Sequence, residues 1–251
     1  MMHTGRIAIL TYHSLDDSGS VISVSPQVFA EHMCILYELN VKVISLSEVH
    51  NLQRVTTTDH HSVILTFDDG FQNVYEYGLP ILQRYGFPAT VFLVTDYCGK
   101  LNSWPSQPAS VAHQPLLRWE EIKEMDAAGL SFGSHTRTHP DLRMVTPEAA
   151  ADEIVASKKA IEDALGRPVG TFAYPYGAYN DTILQLVQTH FPLACSTRLG
   201  FVALPIHRAA LERLDMYYLR HPALFQRLFS RELNVYLHCR RTLRDLRKRV
   251  S

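Results

Sequence analysis

The sequence predicts an α/β protein with a parallel sheet, because short apolar runs alternate with helical patterns along its 251 residues. The runs with the length and composition of strands cover residues 6–12, 41–44, 63–67, 89–94, 130–133, 169–174 and 193–196. Polar side chains that could carry chemistry directly follow several of these runs, and parallel α/β barrels build their sites at that end of the strands. The chain has no internal repeat and no evident linker, so we predict one domain.

The predicted helices begin and end at residues that suit those positions. Ser25 is a candidate N-cap ahead of Pro26, and Gly86, Gly129 and Gly166 follow the last turns of three helices. The helical patterns cover residues 26–39, 47–53, 73–85, 118–128, 146–166, 181–189 and 222–250. Residues 98–117 are rich in Pro, Ser and Gln and predict a long loop, which is often a lid or a substrate-binding segment.

Composition and charge are those of an ordinary globular protein, with 46% apolar and 20% charged residues and a net charge of −1. The charge is uneven, because residues 227–251 hold eight Lys and Arg against two Asp and Glu. We therefore predict a main domain at residues 1–225 and a basic C-terminal helix at 226–251 that packs on it. Weak contact of this helix with an anionic membrane surface is the alternative. The lack of a basic stripe beside aromatic residues argues against nucleic-acid binding.

The cysteines and the N-terminal residues bear on the compartment. The four cysteines lie far apart in the sequence, which argues against a disulfide framework and a cysteine-based zinc site; they are Cys34, Cys98, Cys195 and Cys239. The first residues lack the apolar stretch and cleavage site of a signal peptide, and no run of about 18 apolar residues could span a membrane. We therefore expect a cytoplasmic protein, with its oligomeric state left open.

The most informative segment is Thr66-Phe67-Asp68-Asp69-Gly70, where an apolar strand ends in two adjacent carboxylates. Neighbouring side chains on a strand point to opposite faces, so the two acids can have different roles. A plain Asp-Asp-Gly turn is the simpler interpretation. Two crowded carboxylates repel each other, however, unless a cation lies beside them.

A second segment, His135-Thr-Arg-Thr-His139, places two imidazoles four residues apart. If the segment is helical, both rings lie on one side, although two surface histidines would give the same pattern. Two imidazoles and one carboxylate form a common ligand set for a catalytic divalent metal, and they leave positions open for water and substrate. The remaining carboxylate would then be available for proton transfer.

Three further positions follow strands or turns. His13 ends the first strand and could be a general acid near neutral pH, although a lone histidine there is usually structural. In residues 174–177, a Tyr-Pro-Tyr-Gly segment, the N–H of Tyr176 could stabilise an oxyanion, or the segment could be a plain turn. Arg208, next to His207, could hold Asp68 ionised, or the pair could be a basic surface feature.

These residues resemble the NodB-like polysaccharide deacetylases, a family marked by a TFDDG segment, an H-(S/T)-x-x-H segment and a later Pro-(Tyr/Phe)-Gly turn. The matching residues are 66–70, 135–139 and 175–177, in the same order, and the resemblance spans roughly residues 6–225. It implies a distorted (β/α) barrel of about seven parallel strands as the catalytic domain. It also implies a metal-dependent hydrolase that removes acetyl groups from N-acetylated sugars of a poly- or oligosaccharide.

The resemblance implies a role for each matching residue. Asp69, His135 and His139 would bind the divalent metal, with Zn²⁺ expected first and Co²⁺, Ni²⁺ or Fe²⁺ as alternatives. Asp68 would be the general base, and the backbone N–H of Tyr176 would stabilise the oxyanion.

The chain departs from the family pattern at two positions. Phe172-Ala173-Tyr174 stands where an Arg usually precedes the Pro-Tyr turn, and the usual late Leu-x-x-His acid is not evident. Both departures fit a subgroup with an N-terminal Tyr-His motif, which resembles exopolysaccharide and poly-N-acetylglucosamine deacetylases. In that arrangement His13 would be the acid, with His207 as the alternative, and Arg208 would replace the missing Arg.

Aromatic residues near the predicted site suit stacking on a sugar, and we expect Tyr174, Pro175 and Trp104 to contact the saccharide. Two other functions stay open. The missing Arg is compatible with an inactive scaffold that binds metal or glycan, and the same fold could hydrolyse a non-sugar amide. Chelator-sensitive release of acetate from N-acetylglucosamine oligomers would distinguish these functions.

Overall fold

Seven parallel strands form a closed barrel at the centre of the structure, a computed structural model that describes residues 5–51 and 60–250, with side chains at 5–50 and 60–243. The strands are β1 (Ile7–Tyr12), β2 (Ser62–Phe67), β3 (Ala89–Leu93), β4 (Ser131–Ser134), β5 (Thr171–Ala173), β6 (Leu193–Leu199) and β7 (Leu211–Asp215). Each strand pairs with the next along the chain, and β1 also pairs with β7, which closes the barrel. The predicted parallel α/β barrel is confirmed.

The barrel is irregular on one side. β4 and β5 share one aligned pair, Ser134 with Phe172, and the register shifts between β6 and β7. Within residues 5–51 and 60–250, three two-residue strands lie outside the barrel: Ser14–Leu15 pairs with Ser23–Val24, and Lys42–Val43 pairs with β2.

Alternation along the strands separates an outer core from the barrel interior. Ala8 and Leu10 of β1 pack in a cluster with helix residues such as Phe29, whereas Ile7 and Ile9 pack with residues of other strands. The strand residues in this second, interior cluster are Ile7, Ile9, Ile64, Phe92, Ala173, Leu193, Cys195 and Leu211. On β2 the interior positions continue from Ile64 through Thr66, so the next position in phase, Asp68, is aimed into the barrel.

Helices surround the barrel: α1 (Pro26–Glu38), α2 (Leu79–Tyr85), α3 (Trp119–Ala127), α4 (Pro147–Leu165), α5 (Asp181–His190), α6 (Pro222–Phe225) and α7 (Arg231–Val250). The side chain of Ser25 caps α1, and Gly86 and Gly166 end α2 and α4 in the left-handed conformation, as the sequence predicts. In α7, Leu233 and Leu237 are buried in the outer core. Within the described ranges, no helix combines the length and hydropathy that a bilayer crossing requires.

Two predicted helices are divided in the structure. The pattern at 73–85 is a π-helical turn, Val74–Gly78, followed by α2, and Pro80 cannot donate the backbone hydrogen bond that a continuous α-helix needs. The pattern at 222–250 is α6 followed by α7, because Ser230 accepts from the N–H of Leu233 and begins a new helix. The predicted helix at 47–53 is a 3₁₀-helix, Leu46–Asn51, and residues 52 and 53 lie outside the described residues.

Strand β7 is absent from the sequence prediction. Its sequence is Leu-Glu-Arg-Leu-Asp, in which three of five residues are charged, so it does not form an apolar run. Leu211 nevertheless packs in the interior cluster and Leu214 in the outer core, with Arg213 fully buried between them in the sequence. The last strand of the barrel therefore carries a charged side chain into the interior.

Candidate metal centre and active site

The two carboxylates that follow β2 differ in backbone conformation, and both line one cavity. Asp68 is buried and faces the barrel interior, while Asp69 has a left-handed backbone with φ of 69°. Gly70 follows with φ of 75°, and a Cβ there would lie 2.9 Å from Leu93 Cδ2. This segment thus needs a small residue after the acids and holds Asp69 in a conformation that costs energy for a side chain.

Asp68 is held by Arg213 of β7. The guanidinium donates two hydrogen bonds, from Nη1 to Oδ1 at 2.7 Å and from Nη2 to Oδ2 at 2.6 Å. Burial alone would raise the pKa of Asp68, but the charge and hydrogen bonds of Arg213 outweigh it and lower the pKa well below its usual range. Asp68 is therefore ionised at neutral pH, with His13 Nε2 lying 3.9 Å from its Oδ2.

The loop after β4 carries both histidines and is not helical, which corrects the helical interpretation of their spacing. Thr136 and His139 have left-handed backbones, with φ of 70° and 60°. From α4, Glu153 accepts hydrogen bonds from the N–H groups of Arg137 and Thr138 at 2.8 and 2.9 Å, and from the Thr138 hydroxyl. These contacts, rather than helical periodicity, bring the two rings together.

Asp69, His135 and His139 converge on one point. Asp69 Oδ1 lies 3.5 Å from His135 Nε2 and 3.4 Å from His139 Nε2, and the two Nε2 atoms are 3.2 Å apart. One possible ligand atom from each residue lies within 4.8 Å of the other two, and all three residues are buried. The structure thus brings the three predicted metal ligands into one cluster.

Hydrogen bonds on the far side of each ring define which nitrogen faces the cluster. His135 Nδ1 lies 2.7 Å from the Ala173 carbonyl oxygen, which can only accept, so Nδ1 carries the proton and Nε2 presents its lone pair. His139 Nδ1 lies 3.2 Å from the Tyr176 hydroxyl, again leaving Nε2 toward the cluster. Second contacts of this kind are typical of metal-binding histidines.

The cluster fits a divalent cation. Asp69 Oδ1 is a buried oxygen for which the described residues supply no hydrogen-bond partner. Burial raises the pKa of Asp69, and burial followed by the neighbouring His135 lowers that of His139 well below its ordinary value. One carboxylate oxygen and two imidazole nitrogens, crowded together in a buried position, form the donor set of a catalytic zinc-type site with open positions.

A cavity of about 170 Å³ opens beside this cluster, and most of the other predicted site residues line it. It is lined by His13, Asp68, Trp104, Tyr174 and Tyr176 together with the three cluster residues. The Trp104 ring lies 4.6 Å from the His139 ring, and Tyr176, which also lines the cavity, is 39% exposed. The three predicted sugar contacts, Tyr174, Pro175 and Trp104, are all buried, and the Tyr174 hydroxyl donates to the Ala209 carbonyl.

The late basic pair does not reach the site. Arg208 donates to the carbonyl of His50 at 2.8 Å, whereas Asp68 is bound by Arg213, so the predicted tether is wrong by five positions. His207 is exposed and lines a separate cavity with Arg198 and Glu212. No local signal marks Arg213, because three of the five residues of β7 are charged.

Comparison with known proteins agrees with this architecture. The family model described as polysaccharide deacetylase matches residues 56–190. YxkH of Bacillus subtilis strain 168, named as a candidate polysaccharide deacetylase, is 29% identical over 211 residues, which cover 83% of this chain and 71% of YxkH. A poly-β-1,6-N-acetyl-D-glucosamine N-deacetylase of Staphylococcus aureus strain MRSA252 is 29% identical over 175 residues, 66% of this chain and 58% of that protein.

Solved structures share the fold. The Streptococcus pyogenes deacetylase PplD, solved in complex with acetate, superposes with a TM-score of 0.72 at 27% identity and covers 84% of this chain and 92% of that one. IcaB from Ammonifex degensii has a TM-score of 0.72 at 23% identity, with 88% and 97% covered, which supports the fold alone. Since the family model matches more than half of the residues, the chain belongs to the polysaccharide deacetylase family.

Proposed function

We propose that the protein hydrolyses the N-acetyl amide of sugars in a poly- or oligosaccharide and that a divalent metal is required. The observation that carries this proposal is the cluster of Asp69, His135 and His139 directly beside the ionised Asp68, in one cavity. Asp69, His135 and His139 would hold the metal, and Zn²⁺ suits one carboxylate and two imidazoles best. When bound, such a metal polarises a carbonyl and acidifies water.

The residues around the cluster have separate parts in the reaction. Asp68, kept as a carboxylate by Arg213, accepts a proton from the attacking water. His13, whose Nε2 lies 3.9 Å from Asp68 Oδ2 and whose side chain is 22% exposed, donates a proton to the departing amine. The backbone N–H of Tyr176 donates to the acetyl oxygen as negative charge develops on it, and the left-handed turn at this residue supports that role.

The size of the cavity favours an acetyl group over a whole sugar ring. Its volume of about 170 Å³ lies below the ~300–1,000 Å³ that is typical of pockets enclosing a small molecule. The saccharide chain would therefore lie across the mouth, where Tyr176 and Val21 are exposed, with one acetamido group inserted. We propose β-1,6-linked N-acetylglucosamine as the substrate class, because the S. aureus relative is named for that polymer.

Acetate release from the metal-loaded protein tests this function. We expect release from β-1,6-linked N-acetylglucosamine oligomers at a higher kcat/KM than from β-1,4-linked oligomers, and none from simple non-sugar amides. Absence of acetate from every saccharide, with metal bound, would support the scaffold function instead. Preference for a non-sugar amide would support an amidohydrolase of the same fold.

Asp68→Asn separates proton transfer from metal binding. Loss of a general base typically costs about 10²–10⁴-fold in rate, so kcat should fall by several orders of magnitude while bound metal stays at the wild-type level. Asp69→Asn should instead lose the metal. The two variants make the same chemical change at neighbouring positions, so each is the control for the other when metal content and kcat are both measured. Near-normal turnover by Asp68→Asn would refute the assignment of the base.

A further inference from the structure

We propose that the Tyr176 hydroxyl and Ser106 position the metal ligand His139, and that they join the metal centre to the loop at residues 98–117, here called the cavity loop. The inference rests on the proposed metal site and extends it to two side chains outside the ligand set. It assigns the Tyr176 side chain a role distinct from that of its backbone N–H.

Four polar contacts connect His139, Tyr176 and Ser106 in a closed ring. The imidazole Nδ1 lies 3.2 Å from the Tyr176 hydroxyl. That hydroxyl lies 2.9 Å from the Ser106 carbonyl oxygen and 2.8 Å from Ser106 Oγ. Ser106 Oγ in turn donates to the backbone carbonyl of His139 at 2.8 Å. Both the ring and the backbone of the ligand are therefore held by the same pair of residues.

The directions of these bonds fix the state of the imidazole. The Ser106 carbonyl can only accept, and the Ser106 hydroxyl gives its proton to the His139 carbonyl, so the Tyr176 proton goes to Ser106. The Tyr176 oxygen is then left to accept from His139 Nδ1–H. This arrangement keeps the lone pair of His139 Nε2 directed at Asp69 Oδ1, 3.4 Å away, where a cation would bind.

The same contacts hold the far end of the cavity loop. Its base is closed by a bridge between Leu101 and Pro115 and by the hydrogen bond from Asn102 N–H to the Gln114 carbonyl. Its opposite end reaches the metal centre through Ser106 and through the Trp104 ring on the His139 ring. Metal binding that holds His139 in place therefore favours the contacts between His139 and the cavity loop. By thermodynamic reciprocity, these contacts favour metal binding.

Zinc affinity of the metal-free protein tests the positioning role. Tyr176→Phe and Ser106→Ala should each weaken Zn²⁺ binding about 10- to 100-fold, the usual effect of removing a partner of a metal ligand. Tyr37→Phe and Ser103→Ala are the matched controls, because Tyr37 is exposed on α1 and Ser103 Oγ contacts the Leu101 carbonyl in the same loop. The controls should bind Zn²⁺ as the wild type does. Circular dichroism of each metal-free variant checks that it is folded.

Amide hydrogen exchange in the cavity loop distinguishes positioning of His139 from a general effect on stability, because only positioning makes the exchange rate depend on Zn²⁺. Zn²⁺ should slow exchange of the amides at 103–113 in the wild type and in Ser103→Ala, and have little effect on them in Tyr176→Phe. Wild-type Zn²⁺ affinity in both folded test variants, or equal loop protection by Zn²⁺ in Tyr176→Phe, would overturn the inference. Neither measurement needs acetate release, so an inactive protein would refute the proposed function while leaving this inference standing.

Discussion

Arg213 and Asp68 carry opposite charges into the barrel interior, where their side chains are 1% and 3% exposed. A buried ion pair is tolerated only when its geometry and hydrogen bonds offset the loss of hydration. The two-pronged bond to Asp68 and the bond from Arg213 Nε to the Ser196 carbonyl at 2.9 Å meet this requirement. The pair therefore keeps Asp68 as a carboxylate at neutral pH beside the cluster of Asp69, His135 and His139.

Arg213→Met tests this dependence, with Arg208→Met as its control. Without the guanidinium, burial of Asp68 is uncompensated, so its pKa should rise and the acidic limb of the kcat/KM profile should move up by about one to three pH units. The free energy of unfolding at pH 7 should fall by about 3–5 kcal/mol. Arg208→Met should leave the pH profile unchanged and, through loss of its bond to the His50 carbonyl, lower the free energy of unfolding by no more than about 1.5 kcal/mol.

The sign of the stability effect follows from the pKa of Asp68. In the wild type it lies below the unfolded value of about 3.9, so the ionised carboxylate stabilises the fold above that pH. This contribution is lost as the pH falls through the folded pKa. Denaturant unfolding of the wild type and of both variants between about pH 2 and pH 8 covers this window. A loss of stability in Arg208→Met that matched Arg213→Met would contradict the assignment.

The sequence is sufficient to predict the site residues whose side-chain chemistry and position after a strand both indicate a site. Asp69, His135 and His139 form one cluster because each follows a barrel strand. Arg213 escaped prediction because the stretch around it has charges where strands are usually apolar, and its partner lies 145 positions away in the sequence. A long-range ion pair leaves no local pattern that could identify both partners.

The backbone is strained at several of the residues that form or border the site. Among the described residues, non-glycine left-handed backbones occur at Asp69, Thr136, His139 and Tyr176, and at one further position, Asn40. Four of the five belong to the cluster of Asp69, His135 and His139 or border it, and such conformations persist only when neighbouring contacts impose them. In the loop after β4, Glu153 supplies those contacts.

Glu153→Ala tests how far the loop depends on α4. Removal of the carboxylate leaves two backbone N–H groups and one hydroxyl without their acceptor, which should cost about 1–3 kcal/mol of stability. Zn²⁺ affinity should fall about tenfold, because the loop carries two of the ligands. Glu153→Gln keeps an acceptor oxygen and should recover part of both losses.

Asp163→Ala is the control on the same helix, since Asp163 forms an exposed ion pair with Lys159. It should alter the free energy of unfolding by no more than about 0.5 kcal/mol and leave Zn²⁺ binding unchanged. Calorimetric Zn²⁺ titration and denaturant unfolding measure both effects. Equal Zn²⁺ affinity in wild type and Glu153→Ala would show that the loop holds its conformation without α4.

Helix boundaries were predictable where a cap residue marks them, as at Ser25, Gly86 and Gly166. The conformation of residues 135–139 was not, because four-residue spacing is compatible with a helix and with this strained loop. Which of them forms depends on Glu153, fourteen positions beyond His139 in the sequence, and on the side chain of Thr136, which accepts from the His139 N–H at 3.0 Å.

The closed barrel brings segments that are distant in the sequence together in one site. In a closed barrel of parallel strands, every strand delivers its last residues to the same end. His13, Asp68 and His135 thus come together from β1, β2 and β4, and Arg213 joins them from within β7. This level of organisation could be predicted from the alternation of strands and helices. The closure by β7 could not, because that strand lacks an apolar run.

The account as a whole requires one cation per chain, held by Asp69, His135 and His139, for activity on an N-acetylated saccharide. The most direct test is acetate release by metal-free protein during stepwise addition of Zn²⁺, with N-acetylglucosamine oligomers as substrate. We expect the rate to rise from zero in proportion to added Zn²⁺ and to level off at one equivalent per chain. Undiminished release before Zn²⁺ is added, or no release after one equivalent has bound, would contradict the account.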